Sequence, residues 1–316
     1  MAGSPDSTKP EWGRRSRSLQ PRVWDSGQSA EKGIVPATQA GATVARNSRP
    51  LSTHSLMPFL IEPRHLKRAA RLCMRRASAP GADGQTWAAF RTGMPGRLDQ
   101  LAEDLRRGQW RPGPVKESHV IAYTGKRIGM VIPTVGDRIV HRAMRCAIEP
   151  VLESRAFAPW VSGFRPGRNR LTSLRQAAHH LQAGRVCVAD VDVKQASAGS
   201  STEEVIGWLA DHIQDGTFLA RVRTALEVLP DPIAPGCGLS PMLLNLRLSR
   251  VDSALHGLHV VRFADNYCLF ASDQAQAEAA NDALIAALGM AGLKPHPGKS
   301  RIRSAANAED LFLISG

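Results

Sequence analysis

The stretch His259-Val260-Val261-Arg262-Phe263-Ala264-Asp265-Asn266-Tyr267-Cys268-Leu269-Phe270-Ala271 reads as two short strands joined by a tight turn. Its arms, His259–Arg262 and Tyr267–Ala271, are rich in β-branched and aromatic residues, and Ala264-Asp265-Asn266 supplies the turn. Asp265 therefore stands at the tip of a hairpin. A second run, Val186–Val193, is nearly continuous in Val, Cys and Ala and is broken only by Asp190 and Asp192. An unbroken apolar run of that length fits a strand covered on both faces. Asp192 lies near its exit. Taken singly, each aspartate is an ordinary turn or strand-end residue. If the two segments are neighbours in one sheet, both carboxylates reach the same edge. Such a pair can hold Mg²⁺ ions about 3.5–4 Å apart, one at an attacking hydroxyl and one at a leaving phosphate.

Working outward, apolar residues recur at helical spacing over Arg64–Met74, Leu98–Leu105, Asp137–Leu152, Leu174–Leu181, Val205–Ile213, Phe218–Leu229, Pro241–Leu255 and Ala275–Ala291. The second of these helices is expected to stop at Gly108 and the third at Glu149-Pro150 or shortly after. His119–Ala122 and Met130–Ile132 form a hairpin around Gly125-Lys126, and Lys299–Arg303 and Leu311–Ile314 close the chain as short strands. The order in the second half is that of an α+β fold, a split βαβ sheet with helices on one face.

Charge is divided unevenly. The chain of 316 residues has a formal net charge of +13. Residues 56–180 carry 22 Lys and Arg against 9 Asp and Glu, whereas residues 181–316 carry 11 against 15. A basic half beside a mildly acidic half suits a phosphate-binding surface next to a cation site. Residues 1–55, rich in Ser, Pro, Gly and Arg, read as a disordered basic leader. Cys73, Cys146, Cys187, Cys237 and Cys268 have no paired spacing for zinc or a disulfide framework, and the His179-His180 pair has no partner set. No apolar run approaches the ~20 residues that span a bilayer, so a cytoplasmic protein without membrane partners is expected.

A series of motifs in consecutive order then narrows the reading. These are Pro80-Gly81-Ala82-Asp83-Gly84-Gln85-Thr86, Leu105–Pro114, Ile132–His141, Ser162-Gly163-Phe164-Arg165-Pro166-Gly167-Arg168, Leu239-Ser240-Pro241-Met242-Leu243-Leu244-Asn245, Phe263-Ala264-Asp265-Asn266 and Gly292–Ser300. In that order and spacing they resemble the fingers and palm of group II intron-type reverse transcriptases. The resemblance implies a right-hand polymerase fold with an antiparallel palm sheet: basic fingers over residues 56–180, a palm over 181–316, and no thumb, maturase or endonuclease part. It implies RNA-directed DNA polymerisation on an RNA template and primer from nucleotide triphosphates, with Mg²⁺, or Mn²⁺ in its place. A protein or RNA partner would supply the thumb. Asp192 and Asp265 become the metal ligands and Lys299 a proton donor to the leaving pyrophosphate. Lys126, Arg127, Arg138, Arg165 and Arg168 become fingers groups for nucleic acid or nucleotide, where a planar guanidinium suits phosphate.

The departures from the pattern fall on chemistry. Asp192 is followed by Val193-Lys194-Gln195-Ala196-Ser197-Ala198, without the family's aromatics or second Asp, so Ser197 stands where a ring blocks the ribose 2′-hydroxyl. Ile128 occupies the place of a triphosphate-binding Arg, with Arg127 displaced by one, and Tyr123 replaces a Lys. Ala234-Pro235-Gly236 stands for Pro-Gln-Gly, and Asn266 replaces the second Asp of the Tyr-Ala-Asp-Asp box. Two further readings therefore stand beside polymerisation: a weakened or inactive RNA-binding relative acting as a scaffold, and a decayed mobile-element fragment. Intron mobility, phage defence and CRISPR adaptation are equally compatible settings.

Overall fold

The computed structural model describes residues 55–75, 79–121, 125 and 127–312; the leader, Tyr123 and Lys126 lie outside them. The chain runs α1 (Pro58–Ile61), α2 (Pro63–Met74), α3 (Trp87–Arg91), α4 (Met94–Arg107), the hairpin β1 (Lys116–Ile121) and β2 (Arg127–Ile132), then α5 (Val135–Arg155) and α6 (Arg170–Gln182). After these come β3 (Cys187–Lys194), α7 (Thr202–Ala210), α8 (Gly216–Leu226), α9 (Ser240–Ser253), β4 (Val260–Phe263), β5 (Asn266–Ala271), α10 (Gln274–Met290), β6 (Lys294–Pro295), β7 (Arg301–Ser304) and α11 (Glu309–Phe312).

Helix starts follow side-chain chemistry. Thr134 accepts from the Asp137 amide at the head of α5, and Asn169 with Thr172 and Ser201 with Glu204 close reciprocal caps on α6 and α7. Gly108 ends α4 in the left-handed conformation. One helix end falls slightly later than expected, and one expected strand is corrected. Helix α5 continues past Pro150 to Arg155. Pro150 is exposed, so the carbonyl that the ring deprives of a donor need not be buried unsatisfied. The expected strand Leu311–Ile314 is not formed: Glu309–Phe312 is helical, with the Leu311 amide bonded to the Ala308 carbonyl, and residues 313–316 lie outside the described residues. A helical step of three sets Ala308 and Leu311 together into the cluster around Ala177 of α6; strand alternation would split them.

Strand β3 is central in the larger sheet. It pairs antiparallel with β5, which pairs with β4, and its other edge receives β6 near Val193 and β7 near Cys187–Asp190. Alternation divides its residues. Ala189, Val191 and Val193 enter the main core with Tyr267 and Leu269, under α9 and α10. Val188, Asp190 and Asp192 share the opposite face with Phe270, Cys268 and Asn266. That second face is covered by α6 and α11 only toward the Val188–Phe270 end. Among the described residues the Asp192–Asn266 end has no such apolar cover, and the site described next lies there.

Candidate active site

Asp192 on β3 lies directly across from Asn266 at the start of β5, and the Val193 amide donates to the Asp265 carbonyl at 3.1 Å. The tip is tighter than expected. Phe263 pairs with Asn266, leaving only Ala264 and Asp265 to turn the chain. Ala264 has φ +56°, which suits two-residue hairpins but is costly for a residue with a Cβ. Its neighbours hold it there. Arg262 Nη1 donates to the Ala264 carbonyl at 2.7 Å. A Cβ on Gly163 would fall 2.3 Å from the Ala264 nitrogen, so only glycine lets this loop lie against the turn.

Arg262 is 0 % exposed and every nitrogen of its guanidinium is used. Nε and Nη2 clasp Asp252 at 3.0 and 2.6 Å, while Nη1 also reaches Asn245 Oδ1 at 2.9 Å. Tyr267 donates its hydroxyl to Asp252 at 3.0 Å, and Asn245 Nδ2 donates to the Gly163 carbonyl at 2.7 Å. This network ties α9, the turn and the Gly163 loop into one unit. Sequence reasoning missed it. The available signal was Asn245 and Asp252 seven residues apart on one helix face, next in chain order to an arginine inside a strand.

The carboxylates at the tip are treated differently. Burial, and then the neighbouring charge of Asp192, push the Asp265 carboxyl above its ordinary range. Lys299 Nζ stands 3.4 Å from Asp192 Oδ2, and its loop is pinned by the His296 amide bonding the Asp192 carbonyl at 2.7 Å. Asp190, two residues back on the same face, is bound by Arg303 at 2.9 Å; burial still raises its carboxyl, outweighing that arginine. Among the described residues no group of three or more His, Cys, Asp or Glu is arranged for a metal ion. Mg²⁺ needs less, since one or two carboxylates with waters and substrate phosphates suffice. A buried carboxyl whose ionisation is opposed by a second one fits a divalent cation.

The arginines expected at phosphate also hold oxygens of the protein itself. Arg165 is buried, binding Glu153 through Nε and Nη2 and the Ala158 and Val161 carbonyls through Nη1. Arg138 spends Nε, Nη1 and Nη2 on the carbonyls of Pro133, Ala79 and Pro80, lashing the opening motif to α5. Arg168 Nη1 donates to the Pro159 and Val161 carbonyls. Arg165 and Arg138 thus brace the fold with all three guanidinium nitrogens, and Arg168 does so through Nη1. Arg127 remains at the exposed fingers hairpin, beside His119 at 2.7 Å. Ser197 sits on the turn leaving β3, held by Arg247 through the Ala196 and Ala198 carbonyls and by Asp231 through the Gly199 amide.

Two curated proteins and one family profile match this chain. Protein YkfC of Escherichia coli (strain K12) is 28% identical over 243 residues, covering 68% of this chain and 60% of that protein. An uncharacterized mitochondrial protein, ymf11, of Marchantia polymorpha is 28% identical over 116 residues, 37% of this chain and 16% of its own length. The chain thus spans less than two thirds of either relative. No helix among the described residues is long and apolar enough to cross a membrane. The sequence profile of the reverse transcriptases (RNA-dependent DNA polymerases) matches residues 116–309, more than half of the chain and the whole palm sheet. The chain belongs to the reverse transcriptase family.

Proposed function

We propose that this protein extends a primer on an RNA template by nucleotidyl transfer at Asp192 and Asp265, with residues 56–180 as fingers and 181–316 as palm. The observation that carries the reading is the register that sets Asp192 opposite Asn266, and so beside Asp265, at one end of the sheet. Asp192 and Asp265 would hold Mg²⁺, which when bound lowers the pKa of the primer hydroxyl and neutralises charge on the phosphates. Lys299, 3.4 Å from Asp192, is placed to give a proton to the departing pyrophosphate. Arg127 at the fingers hairpin would meet the triphosphate, with Lys126 before it in sequence as a second cation, and Ser197 leaves room for a ribose 2′-hydroxyl.

A second reading, an RNA-binding scaffold, is favoured by Asn266, which holds the position across from Asp192 with an uncharged amide. Primer extension on an RNA template separates the two, run with deoxynucleotides and ribonucleotides in Mg²⁺ and in Mn²⁺. Incorporation that uses both sugars within a small factor supports the polymerase and the open gate at Ser197. RNA bound without incorporation in either metal selects the scaffold.

A further inference from the structure

Helix α2 carries a line of cations that the palm chemistry does not use. Arg64, Arg68, Arg71 and Arg75 succeed one another at steps of three and four residues, which gathers them on one helix face with Lys67 at its margin, and all five are exposed. Leu66, Ala69 and Ala70 on the other face are buried in the core. Arg64 pairs with Glu62, while the side chains of the other four meet no acidic partner among the described residues. The line is about 16 Å long at 1.5 Å per residue, enough for four or five phosphates of a stacked strand at ~3.4 Å each.

Beside it opens a cavity of about 440 Å³ lined by Phe59, His65, Arg68, Cys146, Glu149 and Pro150 among others, so Arg68 belongs to both features. Phe59 gives it an apolar ring, backed by His65 with centroids 4.7 Å apart. Its wall also offers acceptors. Arg145 takes only Oε1 of Glu149, at 2.9 and 2.8 Å, leaving Oε2 without a protein donor among the described residues. Pro150 sits inside α5 and has no N–H for the Cys146 carbonyl four residues before it.

We propose that α2 and this cavity form a site for single-stranded RNA, with phosphates along Arg64–Arg75 and one unstacked base in the cavity. The base bears an exocyclic amino group, which gives hydrogens to Glu149 and the Cys146 carbonyl while its ring packs on Phe59. An acidic peptide would match the cations but would bring carboxylates toward Glu149. A membrane surface would find no apolar face on α2, because that face is already buried. The proposal rests on the reading of this chain as an RNA-binding protein and not on its catalysis.

The test is binding of the full chain to short oligo(rC) and oligo(rU) across a salt series. Each neutralised cation lowers the slope of log K against log salt by about 0.7, so Lys67→Gln, Arg71→Gln and Arg75→Gln together lower it by about 2. Oligo(rC), with its amino group, binds several-fold more tightly than oligo(rU). In Glu149→Gln, Arg145 keeps the amide oxygen and turns the NH₂ into the cavity, so the preference moves toward oligo(rU) and its carbonyl oxygens. A chain carrying both Asp192→Asn and Asp265→Asn binds like the parent, which separates this site from the palm. An unchanged salt slope in the triple variant would overturn the proposal. So would equal binding of the two oligonucleotides that Glu149→Gln does not alter, or displacement of both equally by an acidic peptide.

Discussion

Two pairs of side chains lie a few residues apart and face opposite problems. At the α9–β4 junction, Asp252 is buried with Arg262, and Asn245 and Tyr267 complete the network. At the hairpin tip, Asp265 is half-buried beside Asp192, a like charge, and the ion pair of Lys299 at 3.4 Å goes to Asp192. The first arrangement is closed and needs nothing further. The second is unfinished, because ionising Asp265 is opposed by burial and by the charge of Asp192, and a divalent cation relieves both. The closed pair also serves the open one, since Arg262 grips the Ala264 carbonyl and fixes where Asp265 stands.

The largest expected effect breaks the open pair. Asp265→Asn or Asp192→Asn lowers nucleotide incorporation by at least about 100-fold, the scale set by losing even the groups that support metal ligands. Urea unfolding of the same variants should show native or higher stability in metal-free buffer, because a repulsion has been removed. A loss of stability in Asp265→Asn would mean that its charge is already compensated.

Breaking the closed pair has the opposite signature. Arg262→Met strands the Asp252 charge in the core and costs about 3–5 kcal/mol of folding stability, read by urea or thermal unfolding. Adding Asp252→Leu to Arg262→Met restores much of that, while incorporation stays low because the Ala264 carbonyl has lost its donor. If the double variant regained full activity, the grip on the turn would be irrelevant to the tip.

A smaller effect is a pH dependence. Asp265 has a raised carboxyl in the folded chain, so the fold binds this proton more firmly than the unfolded chain does. The associated stability is present below the ordinary carboxylate range and is lost as pH rises through the raised value. Asp190 is raised too, so the contribution of Asp265 is the difference between the parent and Asp265→Asn. In metal-free buffer the parent should lose stability relative to Asp265→Asn as pH rises from about 4 to neutrality. Added Mg²⁺ should raise the parent's melting temperature more at neutral pH than at pH 5. Parallel curves for the two proteins would place the titration elsewhere.

Much of this comparison was legible in the chain, but not all of it. The run Val186–Val193 and the hairpin around Asp265 could be read because period and turn chemistry are local properties. So could the cap at Gly108 and the motif series. The fates of Arg138, Arg165 and Arg168 could not be read. An arginine in a basic segment looks the same whether its guanidinium faces a phosphate or, as here, the carbonyls of Ala79, Pro80, Ala158 and Val161. The difference depends on chain segments brought together only by folding. Asp190 and Asp192 differ for the same reason: they share a strand and a face, yet Arg303 on β7 reaches only the first.

The tip carboxylates are expected to act together on a cation, and Mn²⁺ titration followed by electron paramagnetic resonance reads that directly, with or without polymerase activity. The parent should bind Mn²⁺ in competition with Mg²⁺, Asp192→Asn and Asp265→Asn should each lose that binding, and Asn266→Asp should strengthen it. Mn²⁺ binding that is equal in the parent and in Asp265→Asn would contradict the account.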